Sequence, residues 1–362
     1  MRAATQPDGL RRHARLMVVD EGGISHQRRS ELPSLLRPGD LVVANDAATL
    51  PASLSGLLAQ TGAAIEVRLA GCAALSPDEV STFVAVVFGA GDYRTATEHR
   101  PLPPRLYVGD QLLLGPLRAR VQRILDHPRL IELRFEGGAD QIWRGLARHG
   151  RPIQYAYVAR PLSIGDTWTR VASRPVAFEP PSAGFILDWS MLRALRERRV
   201  RFATITHAAG ISSTGDAELD ARLPLDEPYE IPPSTASAIN ATRDAGGRVI
   251  AIGTTVVRAL EDAAAPSETV RSGAGLATGR LGPDSRLRVA DAIVSGMHEP
   301  GTSHYRLLQA FVDEDLLADA IREADTAGYA AHEFGDSMMV WRSPDSHFPR
   351  KLRVVFEKGL LA

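Results

Sequence analysis

Lysine is nearly missing from this chain: of 42 basic residues only Lys351 and Lys358 are lysines, and arginine carries the rest of the positive charge. Cysteine is scarcer still, with Cys72 alone. One thiol excludes an internal disulfide and a cysteine-rich zinc site, and the dispersed histidines offer no metal-ligand spacing, so no metal is expected. No run reaches the roughly 18 apolar residues of a membrane span. The first twenty residues hold basic side chains without the apolar stretch of a signal peptide. A cytoplasmic protein without a membrane partner is expected. Familiar catalytic signatures are also lacking. There is no Gly-x-Gly-x-x-Gly, no Gly-Lys-Ser/Thr phosphate loop, no His-Glu-x-x-His and no Gly-x-Ser-x-Gly elbow. These absences disfavour dinucleotide enzymes, common ATPases, thermolysin-like proteases and ordinary esterases.

The 362 residues suffice for two domains, and 44% hydrophobic against 23% charged residues is the balance of an ordinary globular core. A net charge of -1 exerts no overall pull toward nucleic acid. The distribution is less even. Between Arg100 and Arg174 thirteen arginines face six acidic residues, a local +7 that leaves the remainder near -8. Such a stretch is either a solvated arginine face or a patch for phosphates or RNA.

The pattern changes along the chain. Residues 37–40 read as a turn before a short buried strand at 41–44, ended by Asn45-Asp46. From Leu54 to about Phe135 come short apolar or alternating runs, including 64–69, 82–88, 111–114 and 130–135. That spacing predicts a small β-barrel or sandwich, left at 149–152. Beyond it helix and strand alternate. Asp188 caps a helix running through Arg198, a strand ends at His207, and Ser234 caps a helix that stops at Gly246-Gly247. A strand at 248–252 precedes a helix at 255–264, and two more helices follow at 305–311 and 315–324. We expect an α/β main domain from residues 1–55 and 150–362, with a small β-barrel domain inserted over 56–149.

Four constellations could carry chemistry. At 249–258 a strand meets Gly253, then Thr254, Thr255 and Arg258. Glycine admits close approach of a ligand, and a helix start with a guanidinium one turn on suits a carboxylate or phosphate. Equally, a threonine simply caps the helix. At 179–185, Glu-Pro-Pro-Ser-Ala-Gly-Phe stiffens the backbone and clears space at Ser182 and Gly184. Phe185 is then placed to stack on a nucleobase, unless the segment is only a connector. His298 sits on a proline-glycine turn before a helix, a place for proton transfer or for an ordinary surface histidine. Asp336 follows a glycine at the head of an apolar strand.

These pieces resemble, in order and spacing, the S-adenosylmethionine:tRNA ribosyltransferase-isomerases of queuosine biosynthesis. Residues 37–46 resemble that family's P-G-D-L-L-V-x-N-D-T, and residues 50–56 its V-I-P-A-R-L-x-G. Residues 179–185 resemble A-A-P-T-A-G-L, and 226–231 the stretch around S-E-Y-Y-E-I. Residues 250–261 are similar to I-A-V-G-T-T-x-x-R-x-L-E, 298–303 to H-L-P-x-S-T, and 334–338 to Y-G-D-A-M. The resemblance spans about 14–342. It implies an α/β domain with an inserted β-barrel, and a reaction that transfers and rearranges the ribosyl part of S-adenosylmethionine onto an aminomethyl-deazaguanine in tRNA, releasing adenine and methionine.

Several polar positions depart from the family pattern. Its G-L-H-F-T becomes Gly184-Phe185-Ile186-Leu187-Asp188. Its H-x-M-H-x-E leaves Leu223, Leu225 and Glu227. Its H-V-G-x-G-T-F becomes 207–213, where His207 alone of the polar set is kept. On the resemblance, Gly253, Thr254, Thr255 and Arg258 hold the anionic or ribosyl end of S-adenosylmethionine, the donor substrate. Ser182, Gly184 and Phe185 shape the base pocket, with Asn45 and His207 as further binding residues. His298 does acid–base work, while Glu227 and Asp336 orient a cationic group. The arginines between Arg100 and Arg174 would meet tRNA. Two alternatives stay open: a small-molecule amine as acceptor, and a non-catalytic paralogue that binds RNA or a nucleoside.

Overall fold

A computed structural model describes residues 1–6, 14–265 and 267–343. Its centre is a nine-stranded sheet. From one edge the strands are Gly273–Ala277, Glu227–Ile231, Arg201–His207, Leu41–Asn45, Val249–Ile252, Ala292–Gly296, Ser337–Trp341, Arg15–Asp20 and Gly23–Arg28. The four strands from Arg201–His207 to Ala292–Gly296 run parallel. Leu41–Asn45 is buried along its whole length, as expected for a strand covered on both faces.

Strand alternation builds the two layers. Met17, Val19, Leu41 and Val43 enter the core shared with helices Pro233–Asp244, Thr254–Ala264 and Glu314–Thr326. Leu16, Val18, Val42 and Ala44 point the other way, onto Met191 and Leu195 of helix Trp189–Glu197. Asp188 caps that helix, its carboxylate accepting from the Met191 N–H at 2.7 Å. Ser234, by contrast, lies inside helix Pro233–Asp244 rather than capping it. Proline holds the first position, where a missing N–H costs nothing.

The second unit is a closed barrel of Ser53–Leu58, Ala64–Gly71, Thr82–Phe88, Leu130–Phe135, Leu117–Ile124 and Gln111–Leu114. Leu117, Ala119 and Val121 fill it while Arg118 and Arg120 stand outside. Its first strand begins at Ser53, so a division at residue 55 cuts through that strand. Helix Ala139–His149, absent from the sequence reading, closes one side with Ile142 and Leu146. Gly145 permits the contact, since a Cβ there would lie 2.3 Å from Leu117 Cδ2.

Candidate active site

Three parallel strands end at one place. Arg201–His207 runs on into 209–212, Val249–Ile252 into the Gly253 corner, and Ala292–Gly296 into His298. Together with residues 179–183 these segments line a cavity of about 350 Å³. The carboxyl ends of parallel strands are where open α/β sheets place ligands.

Gly253 makes the corner. Its φ is +97°, and a Cβ would lie 3.3 Å from the Ala183 methyl, so the corner and the 182–186 turn touch through glycine. No side chain caps the helix that starts there, which removes the simple capping role for Thr254 or Thr255. Both threonines, Gly253 and Ser182 face the cavity.

Arg258 lines it too, but four of its five guanidinium N–H groups are taken within the protein. It forms a buried ion pair with Glu227 and donates to the carbonyls of Gly279 (3.2 Å), Leu225 (3.2 Å) and Ala277 (2.7 Å). It is therefore framework charge, not a free anion holder. Glu227 accepts a second hydrogen bond from the Gly210 N–H at 2.6 Å. Burial raises the Glu227 carboxyl, against the pull of Arg258 and that N–H. His207 is wholly buried beside it, Nε2 3.6 Å from Glu227 Oε2, with both ring nitrogens lacking a hydrogen bond. Burial and the Arg258 charge depress this imidazole to about 3, so it is neutral at physiological pH.

His298 lines the same cavity. Its Nε2 shares a 2.8 Å hydrogen bond with Ser295 Oγ, and its ring stacks on His304 at 4.6 Å between centroids. Burial, then the neighbouring His304 and His332, hold its pKa well below the ordinary imidazole value. A neutral ring at neutral pH is available as a proton acceptor.

Four expected residues do other work. Asn45 uses its amide completely: Nδ2 donates to His207 O (2.9 Å) and Thr255 Oγ1 (3.3 Å), and Oδ1 accepts from the N–H groups of Ala47 and His207 (3.0 Å each). It pins the strand ends together and leaves nothing for a ligand. Asp336 accepts from the Arg15 N–H (2.8 Å) and guanidinium (2.9 Å) and from the Ala330 N–H (2.9 Å), clamping the amino-terminal strand. It does not line the cavity. Phe185 stacks on Phe334 at 5.6 Å, the place intended for a base. Gly184 is buried against Thr169, where a Cβ would come within 2.9 Å of Cγ2, so it serves packing.

Sequence reasoning missed Glu179 and His304 as site residues. Glu179 is buried in the cavity wall, accepting from the Tyr155 hydroxyl at 2.5 Å. His304 also lines the cavity, and burial and Arg258 depress it to about 4. A carboxylate directly before two prolines, and a second histidine across the Pro300-Gly301 turn from His298, were the available signals. The basic stretch is dispersed. Arg100 forms a buried ion pair with Glu66 on the outer face of barrel strand Ala64–Gly71, Arg129 is buried near Asp216, and Arg123, Arg144, Arg160 and Arg174 pair with Glu132, Asp140, Asp166 and Glu230. Arg118 and Arg134 stay exposed without an ion pair among the described residues, and Arg134 stands directly opposite Arg120 on the outer barrel wall.

Among the described residues no helix is long and apolar enough to cross a membrane, and no group of three His, Cys, Asp or Glu is placed to hold a metal. The chain is 35% identical to the S-adenosylmethionine:tRNA ribosyltransferase-isomerase of Gloeobacter violaceus, over 93% of this chain and 92% of that protein. It is 31% identical to the enzyme of the same name from Moorella thermoacetica, over 93% and 95%. The solved S-adenosylmethionine tRNA ribosyltransferase of Thermotoga maritima is similar at 24% identity and a TM-score of 0.49, over 93% of this chain and 95% of that one. The family model described as "Queuosine biosynthesis protein" matches residues 1–340, and the chain belongs to that family.

Proposed function

We propose that this chain is an S-adenosylmethionine-dependent tRNA ribosyltransferase-isomerase, which moves the ribosyl part of its donor onto the primary amine of an aminomethyl-deazaguanine in tRNA and releases adenine and methionine. The observation that carries the reading is the meeting of the Gly253 corner and His298 in one cavity at the strand ends. The relatives' names support S-adenosylmethionine and tRNA as the substrates. A sulfonium acidifies the adjoining ribose carbon and departs readily as a thioether, so the site needs a proton acceptor and fixed dipoles more than a nucleophile of its own. His298, held neutral and oriented by Ser295, suits proton removal. The corner threonines supply hydroxyls for the ribosyl portion. No metal enters this scheme, and the exposed arginines of the barrel wall suit tRNA phosphates. A cytoplasmic location fits such a substrate.

The test is incubation with S-adenosylmethionine and tRNA carrying the aminomethyl base, reading adenine and methionine. Release is expected only with both substrates, and His298→Ala lowers it by roughly 10²-fold or more. RNA binding without release would replace the enzyme by a binding module. Release with a free amine, but not with tRNA, would move the acceptor to small molecules.

A further inference from the structure

Two glutamates face the cavity, and the fold treats them differently. Glu227 is matched to the Arg258 guanidinium, so its charge is already answered. Glu179 has no cationic partner among the described residues. Its Oε1 takes the Tyr155 hydroxyl, and the hydroxyl and backbone N–H of Ser212 also bond to the carboxyl. The charged group felt from the 330s is another acid, Glu333, itself bonded to the Tyr157 hydroxyl. From the barrel, Arg68 reaches no further than the Tyr155 ring, 5.6 Å from its centroid. Across the cavity Asp220 is tied to Thr214, accepting from its N–H and hydroxyl at 2.6 Å each. A carboxyl built into a substrate cavity without a countercharge is completed by a cationic ligand.

Resting on the function proposed above, we infer that Glu179 receives the acceptor amine as its ammonium and takes its proton. One ammonium N–H bond breaks and its electron pair remains on nitrogen as the attacking lone pair. One O–H bond forms on the carboxylate, and both groups become neutral. Burial pushes the carboxyl up to about 7, with Glu333 adding to the rise and the Tyr155 and Ser212 hydrogen bonds opposing it. An acceptor of that basicity exchanges protons efficiently near neutrality. The motif that residues 179–185 resemble opens on alanine, so this carboxyl is not part of that resemblance.

The experiment is the pH dependence of kcat/KM for the tRNA acceptor in the wild type, Glu179→Gln and Tyr155→Phe, together with S-adenosylmethionine binding by calorimetry without acceptor. The wild type is expected to gain rate as pH rises through neutrality. Glu179→Gln loses that limb and roughly 10²-fold or more of the plateau, while its affinity for S-adenosylmethionine is unchanged. Tyr155→Phe removes a donor that favours the carboxylate, so the limb moves to higher pH, a shift that a merely structural role would not produce. A limb that persists in Glu179→Gln overturns the inference and leaves the proposed function standing. So does weakened S-adenosylmethionine binding with the limb unmoved. Absence of wild-type turnover with both substrates overturns the proposed function, and this inference with it.

Discussion

Arg258 shows how a residue expected to bind ligand is instead committed to the frame. Its helix position brings it one turn beyond the Gly253 corner, which the sequence makes plain. The same position also brings it against Glu227 on the strand next to the sheet edge, where three carbonyls take further N–H groups of the guanidinium. Deleting the cation leaves a buried carboxylate with only the Gly210 N–H to answer it. Such losses cost about 3–5 kcal/mol. Arg258→Met should therefore lower the urea midpoint strongly, as followed by circular dichroism, in protein without any substrate. Glu227→Gln combined with Arg258→Met should recover much of the loss, because no uncompensated charge remains. If Arg258 served mainly a ligand, the single variant would keep its midpoint and lose only substrate affinity.

The corner and the barrel wall make different demands as elements. Gly253 holds a left-handed backbone between a buried strand and the helix Thr254–Ala264, against Ala183. A side chain at that φ costs roughly 1–2 kcal/mol, and the added methyl presses on the 182–186 turn. Gly253→Ala should lower the thermal midpoint modestly and turnover more severely, since both cavity walls shift together. On the barrel, Arg120 opposes Arg134 with Arg118 beside them; Glu136 pairs with Arg120 at 4.0 Å, and Arg118 and Arg134 are left without an ion pair among the described residues. Arg118→Glu with Arg134→Glu should weaken tRNA binding and flatten its log–log salt dependence by roughly 1.5–2, with S-adenosylmethionine binding unchanged. These elements were legible to different degrees. The Gly253 corner announces itself because a glycine between a β-branched strand and a helix has few other readings. The barrel was legible from alternation in runs such as 82–88 and 130–135. Helix Ala139–His149 was not, because only Ile142, Gly145 and Leu146 of its residues are buried, too sparse an apolar stripe to announce a helix. Asn45, Asp336 and Phe185 were misread for one reason: their partners, His207, Arg15 and Phe334, lie far away in sequence, and only the folded chain shows that their bonding capacity is taken.

Across the whole molecule, cavity groups shifted in opposite senses set how stability depends on pH. His207 and His304 titrate at about 3 and about 4 in the folded state, and His298 also titrates well below its ordinary value, against roughly 6.5 unfolded. The unfolded chain therefore binds more protons than the native one as pH falls below about 6.5. The stability these rings contribute above that value is lost progressively down through their folded values. Glu179 has the opposite sign. Its folded carboxyl titrates at about 7 and its unfolded value is near 4.3, so the native state holds the extra proton between them. Its contribution is complete below the unfolded value and is lost as pH rises through about 7. Three rings take up protons on unfolding where one carboxyl gives one up, so the histidines prevail: stability rises with pH up to neutrality and levels off there, less steeply than the rings alone would make it. Thermal midpoints measured across pH should show both signs: a fall on the acid side of neutrality that His304→Asn makes shallower and Glu179→Gln makes steeper. An acid-side fall that Glu179→Gln leaves unchanged would mean that the buried carboxyl is ionised across this range, and that its titration does not set the neutral limb of the rate.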